Sequence, residues 1–212
     1  MPHLDDINST NLDEIRPLIN NLDYVIFFGT LLGFVRNNSI IEGDDDIDFA
    51  LNYSDRKSLI NILEDSNDFE ILTNKEFYVS CSNKNFNEPN SIDFYIFKKE
   101  KEKIIFPFSF FGNCKYRKRH DLYFDSDLFY ETELNQYSLK MPSESGKLME
   151  KLYGEKYKTP LKKNIDYFIY LRRNEPIITY NKKLVKFLLI IRVLVEKRYK
   201  YAFRLIKSVF IS

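Results

Sequence analysis

The chain opens with apolar residues at helical spacing: Leu12, Ile15, Leu18, Ile19 and Leu22 recur every three or four positions. That period predicts a helix over 9–22, capped by Ser9 or Thr10, with Asp13 and Glu14 at its positive end. The pattern then changes. Residues 24–28 form a short apolar, β-rich run that reads as a buried strand entering a turn at Gly29-Thr30, and 30–36 reads as a short helix starting there. A second strand is predicted over 47–51, and because strand side chains alternate, Asp46 and Asp48 fall on one face. A capped helix over 54–63 follows, then strands over 69–73, 76–82 and 91–97. The last of these, Ser91-Ile92-Asp93-Phe94-Tyr95-Ile96-Phe97, is an apolar strand interrupted by one acid. A turn rich in Lys and Glu at 98–103 leads to an aromatic segment and then to the basic loop Lys115-Tyr116-Arg117-Lys118-Arg119-His120. Residues 144–153 read as a helix ending near Gly154, with Pro142 before it and Pro160 beyond it. A long helical pattern, basic at its polar positions, runs from 181 to 210. No internal repeat or low-complexity tract breaks the sequence.

Length and composition fit one domain, or one domain with an appendage. Of 212 residues, 44% are hydrophobic, and 15 Tyr and 19 Phe stand in for an absent Trp. The formal charge of +1 hides a division. From residue 181 onward nine of the 32 Lys and Arg face a single acid, Glu196, which leaves 23 basic against 30 acidic residues in the body. A mildly acidic globule carrying a basic C-terminal segment is the electrostatic picture. Cys81 and Cys114 lack metal-ligand spacing; two thiols in a chain this long point to a reducing compartment, with one disulfide left open. The N-terminus has neither a basic nor an apolar leader region, so no secretory signal is expected. The longest apolar run, 184–195, is broken by Lys186 and Arg192 and is too short to span a bilayer. A cytoplasmic body is therefore expected.

The chemistry concentrates at Asp44-Asp45-Asp46-Ile47-Asp48, four carboxylates within five positions. Such a run is self-repelling and costly to hold together without a cation. Its flanks, Ile40, Ile41, Phe49, Ala50 and Leu51, are apolar, so it lies on or beside a buried element. A divalent metal is the natural counter-charge, and phosphate chemistry the reason to hold one. A strand ending in Gly29-Thr30, a helix, and a second strand presenting Asp-x-Asp together read as a metal site. The glycine lets backbone amides approach a phosphate, and the helix N-terminus adds a favourable dipole. Asp46 and Asp48 can bind the metal from one strand face, and Asp93 is the third carboxylate if its strand lies beside theirs. Arg36 is placed either to contact a phosphate or to pair with the acids. Asp44 orients the loop, and Asp45 faces solvent.

Phe28-Gly29-Thr30-Leu31-Leu32-Gly33-Phe34-Val35-Arg36 through Asp44-Asp45-Asp46-Ile47-Asp48 resembles the signature of the LicD/fukutin family, a branch of the nucleotidyltransferase fold. Residues 91–97 resemble that family's later acidic strand. Leu139-Lys140-Met141-Pro142 through Leu152-Tyr153-Gly154-Glu155-Lys156-Tyr157 and Pro160 resembles its closing motif. The resemblance implies an α+β fold, a nucleotidyltransferase-like mixed sheet flanked by helices. On this reading residues 1–180 are the catalytic domain and 181–212 a basic amphipathic helical tail. It further implies transfer of phosphocholine or a polyol phosphate from a CDP-activated donor to a sugar hydroxyl of a surface glycan such as lipopolysaccharide or teichoic acid, releasing CMP. Mg²⁺ (or Mn²⁺) would sit on Asp46, Asp48 and Asp93, with Gly29 and Thr30 on the phosphate-facing turn and Arg36 and Asp44 in the substrate site. Asp93 either completes the metal shell or accepts the proton of the attacking hydroxyl. Gly43 departs from the family, which commonly carries an aromatic residue just before the acidic run.

The remaining features have two readings each. The loop 115–120 binds an anion or is a solvated loop. The tail, with Leu184, Phe187, Leu188, Ile191, Leu194 and Val195 at helical spacing, packs on the body or lies along an anionic membrane surface, where a lipid-linked acceptor would sit. Nucleic acid is not expected as a partner. Two rival functions are a nucleotidyltransferase moving NMP to a small molecule or RNA, and a non-catalytic membrane adaptor with a degenerate fold.

Overall fold

Helix α1 (Leu4–Ile19) begins earlier than its apolar period predicts. Thr10 does not cap it: its hydroxyl donates to the Asp6 carbonyl one turn back at 2.9 Å, so it lies inside the helix. The computed structural model describes residues 4–86, 90–107, 122–130, 132–134 and 138–160. The basic loop 115–120, Cys114, and the segment 181–212 with its predicted boundary after residue 180 lie outside the described residues. Met1–Lys151 and Leu152–Ser212 form two compact units.

In the first unit, strand β1 (Tyr24–Ile26) is shorter than predicted, because the chain turns at Phe27 into helix α2 (Phe28–Asn37). Gly29 and Thr30 therefore belong to the first turn of α2. The helix closes on Asn38, whose left-handed backbone lets its N–H donate to the Phe34 carbonyl at 2.9 Å. Strand β2 (Asp46–Asn52) leads through a short 3-10 turn at Tyr53–Asp55, which Asn52 caps, into helix α3 (Arg56–Asp65). Strands β3 (Phe69–Lys75), β4 (Tyr78–Asn83) and β5 (Ser91–Glu100) follow.

The predicted turn at 98–103 is largely strand. β5 runs through Glu100, and strand β6 (Lys103–Phe106) returns beside it, because Ile104 and Phe106 alternate with more exposed positions and bury. Strand β7 (Leu122–Asp125), the short helix α4 (Asp127–Tyr130) and strands β8 (Thr132–Leu134) and β9 (Lys140–Pro142) follow, and helix α5 (Ser145–Tyr153) carries the chain across the boundary after Lys151. Of the second unit, Gly154 (φ 80°) leads into a 3-10 turn at Glu155–Lys158, closed by the Tyr157 N–H on the Gly154 carbonyl.

Seven of the described strands form one mixed sheet, ordered β1-β2-β5-β4-β3, with β6 and β7 continuing from the far end of β5. Only β2 and β5 run parallel, and their register sets Asp48 opposite Asp93. One face is apolar: Phe49 and Phe94 stack at 5.2 Å, and Ile47, Leu51, Ile92 and Ile96 are fully buried. A second cluster gathers around Phe27, which stacks on Phe106 at 4.9 Å and meets the rings of Phe124 and Phe129 edge-on. Each such ring contributes roughly 2–3 kcal/mol of burial. The many phenylalanines thus fill the role that tryptophan often takes. No helix among the described residues is long and apolar enough to cross a membrane.

Candidate active site

Strand alternation puts Asp46 and Asp48 on one face of β2, and parallel pairing brings Asp93 of β5 to the same place. The three carboxylates offer oxygens that lie within 4.8 Å of one another. A second acidic group of the same closeness, Asp44, Asp45 and Asp46, continues along the loop before β2. Asp44, Asp48 and Asp93 are buried, Asp46 is half-buried and Asp45 is exposed.

The start of α2 is fastened to this cluster. The Gly29 N–H donates to Asp48 Oδ2 at 2.8 Å, the Asp48 N–H donates to Thr30 Oγ1 at 2.8 Å, and the Phe27 N–H donates to the Asp48 carbonyl at 2.9 Å. The Gly29 amide, on the turn read as phosphate-facing, thus donates to a carboxylate. A Cβ on residue 29 would stand 3.0 Å from Asp44 Oδ2 and 3.2 Å from Asp48 Oδ2, so glycine is what allows the helix to approach the acids this closely. Gly33 serves the same helix differently. A Cβ there would meet the Ser39 carbonyl at 2.5 Å and the Ile41 nitrogen at 2.9 Å, so the loop carrying the acids lies directly on α2. Farther along, Gly43 adopts φ 70° with open space around its missing side chain; backbone conformation, not crowding, selects it.

Burial first, and then the charges of Asp46 and Asp93, hold the Asp48 carboxyl well above the ordinary carboxylate range; the Gly29 N–H opposes this and Asp44 adds to it. Three converging hard oxygen donors, one of them penalised by its neighbours' charge, are a donor set that suits Mg²⁺ or Mn²⁺. The residues present therefore fit a divalent cation.

Several contributors went unread in the sequence. Tyr78 OH donates to Asp93 Oδ2 at 2.8 Å, and Ser80 Oγ donates to Asp93 Oδ1 at 2.7 Å. Both stand on β4, whose antiparallel register places Ser80 opposite Asp93. Asn8 of α1, fully buried, donates to the Asp44 carbonyl at 2.9 Å and so fixes the acidic loop from behind. The alternation of Tyr78 and Ser80 within a predicted strand was the available signal, but it names no partner. Arg36, half-buried, lies in the last turn of α2, about 10 Å along the axis from Gly29 at 1.5 Å per residue. Cys81 is a buried free thiol whose pKa is raised by burial and then by Asp93.

Comparison with known proteins agrees with this geometry. Residues 21–144, more than half of the chain, match the model for LicD/FKTN/FKRP, nucleotidyltransferase domain. The chain is 36% identical over 125 residues to the uncharacterized protein RT0683 of Rickettsia typhi (strain ATCC VR-144 / Wilmington), which covers 57% of this chain and 33% of that protein. It is 36% identical over 121 residues to the uncharacterized protein RP689 of Rickettsia prowazekii (strain Madrid E), covering 57% of this chain and 40% of that one. The match thus spans well under half the length of these curated relatives. Among solved structures, the lincosamide antibiotic adenylyltransferase LnuA, lincomycin-bound, is similar at a TM-score of 0.50 and 17% identity, covering 80% of this chain and 97% of that chain. That likeness shows a nucleotidyltransferase-like fold.

Proposed function

Because the chain belongs to the LicD/FKTN/FKRP nucleotidyltransferase-domain family, we propose that it transfers phosphocholine or a polyol phosphate from a CDP-activated donor to a sugar hydroxyl of a glycan. The observation that carries this reading is the convergence of Asp46, Asp48 and Asp93 beside the first turn of α2. Asp46, Asp48 and Asp93 would hold a divalent cation, Mg²⁺ or Mn²⁺, which when bound neutralises charge on the donor diphosphate and on departing CMP. Gly29 and Thr30 keep Asp48 in place, and the positive end of α2 favours a phosphate nearby. Asp44, tied back through Asn8, sets the course of the loop. Arg36 is proposed as a phosphate contact.

The acceptor oxygen attacks the phosphorus that carries the choline or polyol. A new P–O bond forms, the P–O bond to CMP breaks with its electron pair staying on CMP, and the acceptor's proton passes to a base. The acceptor would be lipid-linked and cytoplasmic-facing, met by the basic segment 181–212 at an anionic membrane surface.

CMP release from CDP-choline, CDP-ribitol and CDP-glycerol in Mg²⁺ or Mn²⁺, with glycan acceptors, tests the reading. Turnover of one donor, abolished by chelation, is expected. The fold likeness to an adenylyltransferase supports a second reading, NMP transfer from an NTP. Labelled NTPs that modify an acceptor while every CDP donor stays intact would replace the first reading with the second.

A further inference from the structure

Asp93 differs from its two partners in how it is held. Ser80 stands directly opposite it in the β4–β5 register, and Tyr78, opposite Tyr95, reaches it along the diagonal. Their hydroxyls donate one to each carboxylate oxygen, at 2.7 Å and 2.8 Å, so rotation of the carboxylate about its own axis is blocked. Ser80 and Asp93 are both more than nine-tenths buried. Hydrogen bonds from neutral donors to a buried carboxylate are among the stronger ones.

We infer that Tyr78 and Ser80 are positioning residues that fix Asp93 as a cation ligand. The inference rests on the function proposed above. Each hydroxyl has one proton to give, and the two meet different oxygens of Asp93. A carboxylate oxygen offers about two lone-pair sites, so one hydroxyl on each oxygen is compatible with a cation on the same carboxylate. Asp93 has an oxygen within 4.8 Å of those of Asp46 and Asp48, the arrangement that a shared cation needs.

The test is Mn²⁺ binding by the full chain, read from the electron paramagnetic resonance of the free ion, in wild type, Tyr78→Phe, Ser80→Ala and Ser80→Thr. Groups that orient a ligand typically account for about 10- to 100-fold in metal affinity, and a loss of that size is expected for Tyr78→Phe and Ser80→Ala. Ser80→Thr, which keeps the hydroxyl, should restore binding. At saturating Mn²⁺ the kcat of both weakened variants should return towards wild type, whereas a role of these hydroxyls in the chemical step itself would leave kcat low. Tyr78→Phe keeps its ring at a half-buried position and carries the test should Ser80→Ala not fold. Wild-type affinity in both variants, or no recovery in Ser80→Thr, overturns this inference alone. A wild-type chain that binds no Mn²⁺ overturns the cation reading and this inference with it.

Discussion

Replacing Asp48 by asparagine should make the metal-free protein more stable while removing its activity. At an effective dielectric constant of about 20, two full charges 4.8 Å apart repel by about 3 kcal/mol. Asp48 faces such repulsion from both Asp46 and Asp93, and it escapes in part by holding its proton, which burial and those charges favour. Asparagine keeps an oxygen to accept the Gly29 N–H at nearly unchanged shape. We expect about 1–2 kcal/mol of relief, which in a chain of this length raises the melting temperature by about 2–8 °C. Circular dichroism on chelator-treated protein measures it, since without Trp the intrinsic fluorescence is that of tyrosine. In Mn²⁺ the order should reverse. Wild type gains about 2.7 kcal/mol at a metal concentration 100 times Kd, whereas Asp48→Asn gains little and releases no CMP. A metal-free Asp48→Asn protein that melts below wild type refutes the charge argument.

Gly29→Ala and Gly33→Ala should fail in different ways. The first presses a methyl on two carboxylates and should abolish CMP release with little change in melting; unimpaired turnover would show that the close approach is unnecessary. The second presses on fixed backbone and should cost about 1–3 kcal/mol in urea unfolding. Burial raises the pKa of Tyr24, against the Lys140 backbone, so its contribution is complete below the unfolded phenol value of about 10 and is lost as pH rises through the higher folded value. Tyr24→Phe should accordingly resist alkaline unfolding better than wild type, as melts between neutral and strongly alkaline pH would read. Removal of residues 181–212 should abolish sedimentation with anionic vesicles, and equal sedimentation of both forms would end the membrane proposal.

What the sequence makes legible depends on the range of the cause. The shared face of Asp46 and Asp48 follows from the two-residue period of a strand, which is local. The place of Asp93 needed only that two apolar strands lie side by side. Tyr78 and Ser80 needed a register between distant strands, and nothing in β4 alone fixes that. Thr10 misleads because a hydroxyl can bond either an amide ahead, as a cap, or a carbonyl one turn back, and the choice belongs to residues 4–8. The strand β6 was hidden for a related reason: Lys103 is charged and exposed, yet Ile104 and Phe106 face the core, so composition pointed to a turn and alternation to a strand.

The position of Phe28 joins the core to the chemistry. Its φ of 34° is rare for a bulky residue, and such conformations cost of order 1–3 kcal/mol unless the surroundings impose them. The imposition comes from both sides. Phe27 is locked by stacking on Phe106 and by edge contacts with Phe124 and Phe129, while its N–H holds the Asp48 carbonyl. Phe28 itself meets Tyr95 edge-on at 4.8 Å, on the strand that carries Asp93. Burial of one such ring, roughly 2–3 kcal/mol, with about 1 kcal/mol for each well-placed aromatic pair, suffices to offset the strained backbone. The strained residue is the one that turns the Gly29 N–H onto Asp48. Trimming Phe106 to leucine should therefore loosen the acid cluster from a distance, weakening Mn²⁺ binding more than does a core control such as Leu63→Ala of equal or greater loss in melting temperature; equal Mn²⁺ affinity in the two variants would sever the aromatic cluster from the site.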